Sequence, residues 1–116
     1  MGYAKVFEEL NVWQEARVLA NYIYSEFKEI KDFGFKDQIQ RASVSIMNNI
    51  AEGFERQSRT EFKRFLNIAK ASCGEVRSMI YLSKDLKYLV KEKADFLLNI
   101  TAGLSKKIQS FSKKLL

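Results

Sequence analysis

Apolar residues return every three or four positions through four stretches of this chain, and no stretch alternates apolar and polar residues long enough to make a strand. In the first stretch Val12, Ala16, Leu19, Ile23, Phe27 and Ile30 share one helical face. Asn11 stands in the N-cap position, and Gln14 three residues later completes a capping box. The spacing predicts a helix over 12–31, stopped by Asp32-Phe33-Gly34 with Gly34 in a left-handed conformation. A second helix is expected over 35–54, burying Phe35, Ile39, Ala42, Ile46, Ile50 and Phe54, with its turn at Gly53 to Gln57. Ser58-Arg59-Thr60-Glu61 is a further capping box and opens a third helix over 59–87. Its buried line is Phe62, Phe65, Ala69, Ser72, Val76, Met79 and Leu86. In the fourth, over 91–115, Ala94, Leu97, Thr101, Leu104, Ile108, Phe111 and Leu115 alternate steps of three and four, the seam of a bundle helix. Short connections force neighbours to run antiparallel. The expected fold is all-α, an up-down-up-down four-helix bundle.

With 116 residues there is room for one good core, so 1–116 is read as a single domain with 1–10 as an N-terminal extension. The absence of proline lets long helices run without kinks. The absence of histidine removes the commonest general base, the haem ligand and the di-iron Glu-x-x-His motif. A single cysteine, Cys73, allows neither an internal disulfide nor a cysteine zinc site. No catalytic residue, cofactor or metal is therefore expected, and the chain is not read as an enzyme. Met1 to Leu10 carries acids and no signal-like apolar run, and no window has the ~18 apolar residues of a membrane span. A cytoplasmic protein that avoids membranes is expected.

Charge changes the picture further. Residues 1–58 carry seven basic and nine acidic side chains, whereas 59–116 carry thirteen basic and five acidic. Such asymmetry points to a basic surface on the C-terminal half. On the third helix Arg59, Lys63, Lys70, Arg77 and Lys84 fall within roughly 60° of arc, with Tyr81 on the same line and no acid among them. The helix dipole does not account for a row running the whole length of a helix. Cations so spaced can neutralise successive phosphates, and an aromatic among them can stack on an unpaired base; a merely solubilising face is the alternative. The fourth helix adds Lys106, Lys107, Lys113 and Lys114, where the dipole alone would favour lysine.

A polar stripe lies on the second helix: Gln38, Arg41, Ser45, Asn49 and Glu52. Ser72 and Glu75 of the third helix sit on or beside its apolar face. A carboxylate there needs a partner, and the structural expectation is a partly buried Glu75 satisfied by Arg41, Ser45 or Asn49. The alternative is that the stripe is the solvated side of its helix. Apolar positions on the second helix, including Met47 and Ala51, sweep roughly 180°, more than the ~100° one bundle helix requires. Val18 and Tyr22 add to the excess on the first helix. Contiguous apolar surface of this kind points to association between copies; scattered surface aromatics are the other reading.

Phe7-x-x-Leu10-x-Val12-Trp13, Gln38-Ile39-x-Arg41-Ala42-x-x-Ser45-Ile46 and Asn49-Ile50-Ala51-Glu52-Gly53-Phe54 resemble the 23S rRNA-intervening-sequence protein family. Glu61-Phe62-x-x-Phe65-Leu66-x-Ile68-Ala69 and Ser72-x-x-Glu75 continue the likeness over nearly the whole chain. The resemblance implies a four-helix bundle assembled into a homo-oligomeric ring, typically a pentamer. Members are often encoded within inserts in bacterial 23S rRNA genes. A related branch, the accessory variability determinants of diversity-generating retroelements, partners a reverse transcriptase and binds nucleic acid through a basic surface. The expected function is thus an oligomeric scaffold contacting RNA or DNA, or a reverse transcriptase-like enzyme; the alternative is a protein-interaction module for an acidic partner. The chain departs from the family pattern at Phe35, where leucine is usual, and at Lys87, where glycine is usual. Gly74 places a poor helix former in mid-helix, which close helix approach would offset.

Overall fold

The computed structural model describes residues 3–115. A 3-10 turn, Phe7–Glu9, leads into α1 (Asn11–Glu26), α2 (Phe33–Glu55), α3 (Arg59–Asp85) and α4 (Lys91–Lys114), and no strand occurs among the described residues. Each helix packs on its two neighbours, α1 on α2 and α4, α3 on α2 and α4, while the diagonal pairs do not meet. Glu15 pairs with Lys107 and Glu26 with Lys93, so α1 and α4 run in opposite directions. Lys70 to Gln109 and Lys84 to Asp95 show the same for α3 and α4. The result is the expected up-down-up-down bundle, 44 × 22 × 19 Å.

The three-four pattern becomes the core. Leu19, Ile23, Phe27, Ile39, Ile46, Ile50, Phe62, Leu66, Ile80, Leu97, Leu104 and Ile108 are almost wholly buried. Each such side chain contributes about 1.5–3 kcal/mol on leaving water. Aromatic clusters close both ends. At one, Phe62 lies 5.9 Å from Phe54, 5.6 Å from Phe111 and 6.0 Å from Tyr3, centroid to centroid. At the other, Phe35 lies 5.8 Å from Phe27 and 5.3 Å from Tyr88. Residues 3–10 are thus more than an extension: Tyr3 joins the first cluster, Phe7 packs edge-on to Trp13, and Leu10 is buried.

Several boundaries differ from the expectation, each for a local reason. Helix α1 starts at Asn11 with Leu10 as its N-cap and no capping side chain; the Gln14 amide instead donates to the Glu8 carbonyl at 2.8 Å. The preceding 3-10 turn delivers the chain already curled, and Leu10 O accepts from Gln14 N. Helix α1 ends at Glu26 rather than near residue 31, because Asp32 caps the next helix instead of stopping this one. Its carboxylate accepts from Phe35 N at 3.2 Å and from the Tyr88 hydroxyl at 2.8 Å. That starts α2 at Phe33 and places Gly34 inside its first turn, with no left-handed glycine among the described residues. Leu86 is exposed rather than buried, since α3 ends one residue before it.

Gly53 is not a turn residue either. It lies inside α2 and buried, where a Cβ would stand 2.6 Å from Phe65 Cβ. The left-handed residue of that turn is Gln57, φ 53°. The close approach expected at Gly74 occurs at Gly53 instead, since no neighbouring helix or side chain lies within 4 Å of a Cβ placed on Gly74.

Ser58 caps α3 as its motif implies, accepting from Glu61 N at 3.3 Å. The other end of α3 is a Schellman turn: Tyr88 N donates to Ser83 O at 2.8 Å and Lys87 N to Lys84 O at 3.1 Å. Lys87 takes the left-handed position with φ 61°, which costs an L residue about 1–2 kcal/mol. Lys87→Gly should therefore stabilise the protein by about 0.5–1 kcal/mol, after glycine's own entropy cost. A urea titration should show a higher midpoint with unchanged slope; a lower midpoint would mean the lysine stem stabilises the turn.

Candidate nucleic-acid interface

The core face of α3 fixes where its charges point. With Phe62, Leu66, Ala69, Cys73, Val76 and Ile80 turned inward, the row containing Lys63, Lys70, Arg77 and Lys84 falls on the side of α3 that faces α4. Lys70 Nζ donates to Gln109 Oε1 of α4 at 2.9 Å, a neutral partner that leaves the charge uncompensated. Lys106 lines the same shallow groove, with Ser105, Gln109 and Ser110. Lys113 follows Lys106 by seven residues, on the same side of α4. Among the described residues, Lys63, Lys70, Arg77, Lys106 and Lys113 pair with no carboxylate. Arg59 begins the row at the first residue of α3.

Lys84 does not share this character. Asp95 of α4 takes it at 3.3 Å and Lys91 at 2.8 Å. Hydrogen bonds from Lys91 and Lys84 hold the Asp95 carboxyl below the usual range. The α3 sequence contains no acid on this line, so only the α4 register reveals the compensation. The C-terminal lysines divide similarly: Lys107 turns to α1 and pairs with Glu15 at 2.7 Å, while Lys114 lines a groove with Tyr3, Leu10, Val12 and Phe111. Tyr81, one turn beyond Arg77, is 55% exposed and makes no ring contact or hydrogen bond among the described residues.

The polar stripe of α2 lies along its edge with α3. Gln38 Nε2 donates to Glu75 Oε2 at 3.3 Å, the Ser45 and Ser72 hydroxyls stand 3.0 Å apart, and Asn49 Nδ2 donates to Ser45 Oγ at 3.0 Å and Ser45 O at 2.8 Å. Glu75 itself is exposed, and its partner is Gln38 rather than Arg41, Ser45 or Asn49. Its position is on the outer rim of the α2–α3 groove, where the carboxylate reaches water. Arg41 turns outward and pairs with Asp37 at 2.8 Å. Glu52 joins a corner cluster with Arg56, Glu61 and Arg64, in which both arginines lie over the Phe65 ring, at 4.9 and 4.7 Å from its centroid. That cluster was not read from the sequence, because its members come from two helices and the turn between them.

Burial pushes the Cys73 thiol up to about 12, so it stays protonated at neutral pH and is a poor nucleophile. No three His, Cys, Asp or Glu residues come together among the described residues. No helix among them is long and apolar enough to cross a membrane. Apolar side chains remain outside on two faces. Val18 and Phe96 are about half exposed, with Tyr22 edge-on to Phe96 at 5.3 Å, between the Glu15–Lys107 and Glu26–Lys93 ion pairs. Ile68, Leu82 and Leu86 are exposed on α3. Met47 and Ala51 of α2 are half-buried instead, Met47 against the core.

A crystal structure of a protein of unknown function from the S23 ribosomal protein family of Bacteroides thetaiotaomicron superposes with a TM-score of 0.82. The two share 29% sequence identity, over 88% of this chain and 98% of that one. No curated protein matches the chain. The family model described as 23S rRNA-intervening sequence protein matches residues 8–110, and neither comparison points to an enzyme family. The chain belongs to the 23S rRNA-intervening sequence protein family.

Proposed function

We propose that this protein is a non-enzymatic, self-associating cytoplasmic scaffold whose α3/α4 face contacts nucleic acid, or an enzyme working on nucleic acid. The observation that carries this reading is the group of cations without carboxylate partners: Lys63, Lys70 and Arg77 on α3, with Lys106 and Lys113 on α4. Cations on such a surface release the counterions condensed on nucleic-acid phosphates, which gives affinity without base-specific contacts. Self-association is supported by the half-exposed Val18 and Phe96 and by the exposed Ile68, Leu82 and Leu86; the family resemblance sets the expected number of subunits at five.

Gel-shift titrations with random-sequence RNA and DNA test the contact. If about five phosphates are neutralised, affinity should fall by about two orders of magnitude for single strands, and nearly three for duplex, between 50 and 200 mM salt. Lys70→Glu combined with Arg77→Glu should abolish the shift while leaving the helical spectrum intact. No shift by the wild-type protein at low salt overturns the nucleic-acid reading and leaves an acidic protein as the partner the same charges would fit. Light scattering behind size exclusion on the same preparation tests assembly; a monomer at micromolar concentration overturns it.

A further inference from the structure

We infer that the α3/α4 face takes single-stranded rather than duplex nucleic acid, with Tyr81 as the stacking platform for an unpaired base. The inference rests on the nucleic-acid reading above and adds the form of the ligand.

The first argument is the shape of the charge. Lys63, Lys70 and Arg77 follow one another at seven-residue intervals on one helix, a straight row with steps of ~10.5 Å. Each of a duplex's two strands returns to a given line on its surface once per turn of ~34 Å, and the unequal grooves space the crossings unevenly. A duplex lying along α3 therefore meets at most two of these three evenly spaced cations. A duplex lying across α3 meets even fewer. Entry into a major groove ~12 Å wide would need a projecting ridge. Here the cations border a shallow groove between two packed helices, in a bundle 22 and 19 Å across its short directions. A flexible single strand can follow a straight row, with the α4 lysines flanking it.

The second argument is Tyr81 and what lies before it. A helical side chain leans over the turn on its N-terminal side, which directs the Tyr81 ring toward Arg77 and Gly74. Gly74 stands one heptad before Tyr81, and nothing lies within 4 Å of where its Cβ would be. The surface of α3 two turns before the ring is therefore open, with Arg77 one turn before it on the same helix. Of the other exposed aromatics, Tyr22 packs on Phe96 and Phe33 lies beneath the Lys36 ammonium at 5.9 Å, while Tyr24 is on α1, away from the α3/α4 face. Tyr81 combines a free π-face with a place on the cationic line, the pairing by which sequence-tolerant single-strand binders hold bases.

The test uses fluorescence anisotropy with labelled 20-nucleotide oligo-dT and oligo-U, and with duplexes of mixed sequence and equal length, at one salt concentration. The wild-type protein should bind the single strands at least tenfold more tightly than the duplexes. Tyr81→Ala should weaken single-strand binding roughly 5- to 150-fold and leave duplex binding nearly unchanged, while Tyr81→Phe retains it. Binding of either sugar form supports the inference, and the oligo-U to oligo-dT ratio reports whether the 2′-hydroxyl is read. Equal affinity for single strands and duplexes overturns it, as does an unchanged affinity in Tyr81→Ala with its fold verified by circular dichroism. A wild-type protein that binds neither form overturns the earlier reading as well, so the two failures are distinguishable.

Discussion

Phe62→Ala is expected to lower stability by about 3–5 kcal/mol. The ring is wholly buried at the start of α3, within 6.0 Å of the rings of Tyr3, Phe54 and Phe111. Removing it leaves a cavity where α2, α3, α4 and the N-terminal segment meet, so the neighbours would have to move together to fill it. The loss joins the transfer free energy of the ring to edge-to-face contacts worth about 0.5–1.5 kcal/mol per pair. Small domains hold about 5–15 kcal/mol in all. Phe62→Leu, which keeps most of the volume, provides a measurable partner variant with a loss of about 1–2 kcal/mol. Urea denaturation at fixed protein concentration would show it as a lower midpoint; a loss under about 1 kcal/mol for Phe62→Ala would mean this end is loosely packed.

Gly53→Ala should also destabilise, by about 1–3 kcal/mol, although alanine is the better helix former by about 1 kcal/mol. The added Cβ would stand 2.6 Å from Phe65 Cβ and 3.0 Å from Phe62 Cδ1. The first of these atoms is fixed to the α3 backbone, so no rotamer change relieves the overlap and the two helices must separate. Separation would stretch the Ser45–Ser72 and Gln38–Glu75 links along the same groove. Thermal or urea unfolding decides the sign. A stabilised Gly53→Ala variant would show that α2 and α3 are farther apart than described.

The local sequence around Gly53 is that of a turn. Gly-Phe-Glu-Arg-Gln before a strong Ser58 cap looks like a helix ending, and a glycine needed for interhelical clearance has the same local signature as one needed for a turn. Asp32 presents the same ambiguity in reverse. Between two apolar stretches it can follow a helix or cap the next, and the choice was settled by Phe35 N and by Tyr88, 56 residues further on. Lys87 was pointed to only by the family resemblance, in which glycine is usual at that place, and the structure shows that the left-handed turn is kept with lysine in it.

At the candidate site the row Lys63, Lys70, Arg77 was readable from spacing alone, since seven residues bring a helix back nearly to the same line. Its neutralisation was not. Lys84 loses its freedom to Asp95, and Lys107 turns away to Glu15, through the registers of α4 against α3 and α1. Arg41 and Glu52, on the correct edge of α2, find closer partners in Asp37 and Arg56 on their own helix and the turn that follows.

The sequence by itself determined four amphipathic helices, their inward faces and the Ser58 cap, because each depends on contacts within a few residues along the chain. Tertiary structure alone decided where α1 gives way to α2, which glycine admits a neighbouring helix, and which lysines keep their charge. Those depend on how far one helix is shifted along the next, a quantity set by the fit of many buried side chains at once and by no local stretch of residues.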